Sequence, residues 1–151
     1  MNLSFRQWLL STLAISATIG SLFSACGGQA RDTLETNRAL WTSQALTDYS
    51  YHFKRSCFCG EPSISPVTIE VHDSEISVTY EDGQPMEQEY LQYFPDIPGL
   101  FGIVDNAISK ADSLDVQYDS SYRYPTHISV DFMKNAIDDE VAYEAGNLEI
   151  L

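Results

Sequence analysis

The sequence predicts an α+β domain: two helices packed on one face of a mostly antiparallel sheet of about six strands, in the order αβββαβββ. Three observations carry that expectation. Six short runs alternate apolar and polar residues, the period of a strand with one buried face. The first three runs are joined by short connections, which suit an antiparallel meander. Ahead of each group of three lies a stretch whose apolar residues recur at helical spacing.

Asp32 to Thr47 contains no Pro or Gly, and Leu34, Trp41 and Ala45 recur at helical spacing, so a first helix is expected there. Tyr49, Tyr51 and Phe53 then alternate with Ser50, His52 and Lys54, a half-buried strand running into Cys57-Phe58-Cys59. After a break at Gly60 to Pro66, Val67, Ile69 and Val71 make a second strand. The polar turn His72-Asp73-Ser74-Glu75 reverses it into a third, with Ile76, Val78 and Tyr80. The residues from Glu81 to about Pro95 read as loop or a ragged edge strand.

Asp96 is placed to cap a second helix with Pro98 in its first turn, where a missing amide proton costs little. Ile97, Phe101, Val104, Ile108 and Ala111 form an apolar stripe along it. Leu114, Val116 and Tyr118 make a fourth strand; Ile128, Val130 and Phe132 a fifth; Val141, Tyr143 and Ala145 a sixth. The alternation of the sixth slips at Gly146 before Leu148 and Ile150, as at a β-bulge.

The length of 151 residues allows one domain, and 44% apolar residues with 9 Tyr, 7 Phe and 2 Trp are enough for a core, which excludes a disordered acidic tail. There are 22 Asp and Glu against 8 Lys and Arg, a net charge of −14. Neutralising phosphates requires clustered Lys and Arg, so a nucleic-acid partner is excluded. The same field repels anionic membrane surfaces, and attachment to a membrane must be hydrophobic or covalent.

The N-terminus supplies such an attachment. A polar stretch with Arg6 leads into an apolar run from Trp8 to Phe23, too short for a spanning helix but ordered like a secretory signal. Leu22-Phe23-Ser24-Ala25-Cys26 resembles the bacterial lipobox, although Phe23 stands where Leu, Val or Ile is usual. The resemblance implies cleavage of residues 1–25 and acylation of Cys26; ordinary secretion is the alternative. Gly27 after the cysteine points to the outer membrane in a cell with two. Residues 26–31 then form a tether, and 32–151 a globular domain. Loss of Arg6 leaves 22 acids against 7 bases, −15 over 126 residues.

Several islands stand out along the chain: Trp41, Tyr49-Ser50-Tyr51, Cys57-Phe58-Cys59, Leu100-Phe101, Ala111-Asp112, Val116-Gln117-Tyr118-Asp119, Tyr124-Pro125-Thr126-His127-Ile128-Ser129-Val130-Asp131 and Asn135-Ala136-Ile137-Asp138-Asp139-Glu140. Together they resemble a bacterial family of exported domains, domain of unknown function 6174. The resemblance implies location and boundaries but no reaction. Arg123 stands where the family tends to have Gly before Tyr-Pro, so the turn there is expected to be built differently.

With Cys26 acylated, Cys57 and Cys59 are the remaining thiols, in an oxidising compartment. On a regular strand their Cα atoms would lie about 6.6 Å apart, so a disulfide requires a local bend. A structural bridge is the first expectation and thiol redox chemistry the alternative, although no Cys-x-x-Cys heads a helix. Zinc or copper would have to draw on Cys57, Cys59, His52 and His72, yet His52 falls on the strand face opposite the cysteines.

Asp131, Asp138, Asp139 and Glu140, with Asn135, form an acidic cluster that could hold calcium, without EF-hand spacing. The same cluster offers no inferable pocket for glycosidase carboxylates. His127, Ser129 and Asp131 share one strand face but lack a nucleophile elbow or oxyanion hole. The tyrosines read as core and edge packing, with a glycan-binding or partner-binding aromatic surface as the alternative. Together these readings point to a non-enzymatic, lipid-anchored envelope protein that binds an envelope protein or a glycan. A calcium-stabilised binding domain is a further alternative.

Overall fold

Every second position of the alternating runs is apolar, and the computed structural model, which describes residues 25–136 and 138–151, pairs those runs so that the apolar positions share one face. The elements are α1 (Ala25–Ser43), β1 (Asp48–Cys57), β2 (Val67–His72), β3 (Glu75–Tyr80), a 3-10 helix (Gln88–Tyr93), α2 (Ile97–Lys110), β4 (Ser113–Tyr118), β5 (Pro125–Asp131) and β6 (Val141–Ile150). The strands form one sheet in the order β3-β2-β1-β6-β5-β4, antiparallel throughout. The fold is α+β: two three-strand meanders joined along β1 and β6.

The register builds the core face. Tyr49 lies opposite Val71, Tyr51 opposite Ile69, Phe53 opposite both Val67 and Ala145, and Ile128 opposite Tyr143. Leu34 and Trp41 of α1 and Leu100, Phe101 and Val104 of α2 are buried with that face. Trp41 meets Tyr49 and Tyr124 edge-on at 5.4 and 6.0 Å, and Phe101 stacks on Tyr118 at 6.3 Å. Each large side chain buried here contributes about 1.5–3 kcal/mol.

The start of α2 is fixed twice. Asp96 Oδ1 accepts from Gly99 N at 2.7 Å, satisfying one orphan amide of the first turn. From the sheet, Tyr49 Oη accepts from Ile97 N at 3.3 Å and the Tyr51 hydroxyl donates to the Pro95 carbonyl. Burial pushes the Tyr49 hydroxyl up to about 12 and Tyr51 well above the usual phenol range, so both keep their protons at neutral pH. The β2–β3 hairpin turns through Asp73 and Ser74, both at positive φ (47° and 72°), the type I′ geometry that matches strand twist.

Four local features depart from the sequence reading. Residues 26–31 are helical rather than a tether: Arg31 Nη1 bonds Asp105 Oδ1 at 2.6 Å and Nη2 bonds Ser109 Oγ at 3.2 Å, tying this end of α1 to α2. α1 also ends earlier, at Ser43, and Ala45 leaves it at φ 51°. Between β3 and α2 lies the 3-10 helix, preceded by a bridge from Thr79 to Pro85. Arg123 adopts φ 69°, so the turn is built as a glycine would build it. The expected bulge is present: from Ser50 to His52 the β6 partner moves from Glu149 to Gly146, with Asn147 at φ 54°. Residues 1–24 of the segment expected to be a signal peptide lie outside the described residues.

Candidate functional site

α1 and α2 cover one face of the sheet, and the other carries the polar half of each alternation. His52, Lys54, Thr68, Glu70, Thr79 and Glu144 project there from β1, β2, β3 and β6. Together with Glu81 and Gly146 they line a concavity of about 810 Å³. It offers an imidazole, an ammonium, two hydroxyls and several carboxylates on rigid strands, a set suited to hydrogen-bonded or ionic recognition. The bulge shapes its wall, where Asn147 Nδ2 lies 3.3 Å from His52 Nδ1.

At one end of the same face, His72 Nδ1 sits 3.0 Å from Asp48 Oδ1. The hydrogen bond from the Thr47 hydroxyl, at 2.6 Å, and then His72 hold the Asp48 carboxyl below its ordinary value. At the other end β1 stops at Cys57 and the chain bends at Phe58. The bend brings the Cα atoms of Cys57 and Cys59 to 5.2 Å, and their sulfurs stand at disulfide distance. Phe58, held between them, is 81% exposed. It lies with Ser56, Ser129, Asp138 and Glu140 around a second depression of about 400 Å³.

The acidic cluster does not assemble. Among the described residues no group of three His, Cys, Asp or Glu side chains is placed to hold a metal ion. Asp131 Oδ1 accepts from Met133 N at 3.0 Å within its own turn, Asp138 and Glu140 face the second depression, and both Asp139 carboxylate oxygens are buried with no hydrogen-bond partner among the described residues. The calcium expectation for Asp131, Asp138, Asp139 and Glu140 therefore finds no convergent donor set. His127, Ser129 and Asp131 do share the open face of β5, but among the described residues no hydrogen bond joins their side chains, and Asp131 Oδ1 is taken by Met133 N. His52 sits on the open face, whereas Cys57 pairs with Val141 on the helix side, so no thiol–imidazole site forms from them. The Cys26 side chain lies outside what is described.

Sequence reasoning placed His52 and Lys54 on a polar strand face without showing that they share one concavity with residues of β2, β3 and β6. That follows from the long-range pairing of β1 with β6, for which no local pattern is diagnostic.

Compared with known proteins, residues 33–150 match the model of a family described as Family of unknown function (DUF6174). No curated protein and no solved structure matches the chain.

Proposed function

The chain belongs to this family of unknown function, which assigns no reaction, and we propose that it is a lipid-anchored cell-envelope protein acting as a binding or accessory module rather than as a catalyst. One observation carries the binding reading: the open face of the sheet presents a polar concavity built from four strands and backed by a packed core. A surface held this rigidly binds with little ordering cost.

The anchor is supported by the lipobox-like Leu22 to Cys26 and by the acidity of the chain, which leaves hydrophobic or covalent attachment as the means of holding a membrane. Metabolic labelling with a clickable fatty acid tests it. Label on the wild-type chain and none on Cys26→Ser supports the anchor; equal labelling of both removes it.

A second reading, thiol redox chemistry, has one observation in its favour: Cys57 and Cys59 stand at disulfide distance beside an exposed Phe58. A measured reduction potential separates the two. A value below about −300 mV marks a structural bridge and one above about −230 mV a working couple.

A further inference from the structure

The two edges of the sheet are finished differently. β3 is covered by its own chain: Thr79 bridges to Pro85, Met86 N donates to Val78 O at 2.8 Å, and Tyr80 N to Gln84 O at 2.9 Å. At the opposite edge β4 pairs with β5 alone among the described residues. One row of its backbone donors and acceptors therefore has no strand partner.

On the helix side of that edge, Ala30, Val104, Ile108, Leu114, Val116 and Tyr118 line a groove of about 300 Å³. Leu114, Val116 and Tyr118 remain only partly buried, so this end of the core is unfinished where the edge is open. On the other side of the strand Asp115 and Gln117 are exposed. A strand laid against β4 would thus meet apolar surface at alternate positions and a carboxylate between them.

Resting on the reading of the domain as a binding module, we propose that β4 is the docking edge for an extended partner segment alternating apolar and basic residues. Its apolar side chains enter the groove, its backbone continues the sheet past β4, and its Lys or Arg side chains face Asp115. Charge selects this occupant over a second copy of the chain, since two molecules of −14 repel each other at an uncovered edge.

The ¹⁵N-labelled full chain titrated with the acetylated, amidated peptide Val-Lys-Val-Lys-Val-Lys tests the proposal by NMR. Amide shifts are expected to concentrate on Ser113–Tyr118 and the groove residues. Binding should weaken about fivefold or more in Asp115→Lys, and about tenfold or more when alternate peptide nitrogens are methylated so that backbone donors are lost. Asp115→Lys alters an exposed side chain, and an unchanged spectrum away from β4 shows that it folds. Three outcomes overturn the proposal: shifts centred on another surface, indifference to N-methylation, or a dimer in sedimentation whose β4 amides are protected without peptide. Any of these leaves acylation of Cys26 and capture at the concavity unaffected, so failure of this inference is distinguishable from failure of the functional reading.

Discussion

Replacing Gly99 with Ala sets helix propensity against sterics. In an unconstrained helix the change stabilises by about 0.8–1.0 kcal/mol. Here the added Cβ would lie 2.8 Å from Pro95 Cβ and 3.0 Å from Asp96 Oδ1. Neither neighbour yields freely: Pro95 is a ring whose carbonyl accepts from Tyr51, and Asp96 is the cap whose carboxylate holds Gly99 N at 2.7 Å. Displacing the cap costs about 1 kcal/mol, and relieving the overlap about 1–3 kcal/mol. The net expectation is a loss of roughly 1–3 kcal/mol, or a fall in Tm of about 3–12 °C for a domain of this size. Urea and thermal unfolding followed by circular dichroism measure it. A Gly99→Ala protein as stable as wild type, or more so, would refute the steric argument and show that the Pro95–Asp96 turn relaxes at little cost.

Arg123→Gly should be neutral or stabilising by up to about 1 kcal/mol, because the φ of 69° costs an L side chain more than the entropy glycine adds to the unfolded chain; a marked loss in urea unfolding would show that the arginine side chain supports the turn. Stability should hold up to about pH 10 and decline as pH rises towards about 12, since the raised phenol of Tyr49, and Tyr51 with it, favours the native state only while protonated. Tyr49→Phe, compared by denaturation at pH 9 and pH 11, should lose less over that interval than wild type. Replacing Cys57 and Cys59 together by Ser should cost about 1.5 kcal/mol, the loop-entropy value for a three-residue closure, with a single transition retained; complete unfolding would assign the bridge a larger role.

The parts of the fold governed by local periodicity were legible in the sequence. Tyr49, Tyr51 and Phe53, then Val67, Ile69 and Val71, alternate strictly because one face of each strand is buried, and the α2 stripe with Asp96 and Pro98 announces both the helix and its cap. The slip at Gly146 likewise marked a real bulge. What could not be read depends on partners distant in the chain. Gly27 to Arg31 has the composition of a tether and becomes helical because Arg31 reaches Asp105 and Ser109, more than seventy residues away. The 3-10 helix before α2 has no apolar period of its own. Asp131 and Asp138 to Glu140 looked convergent because they lie close in sequence, yet Asp131 caps its own turn while Asp139 points inward. The concavity joins β1, β2 and β3 to β6, a pairing across the whole chain that alternation alone does not specify.

Binding through the open face is tested most directly by photo-crosslinking in intact cells. A benzophenone-bearing phenylalanine is placed at Glu144 in the concavity, with a control at Leu40, exposed on α1. The open-face reading predicts a discrete adduct from position 144 and none from position 40. Adducts from position 40 with none from position 144 would contradict it.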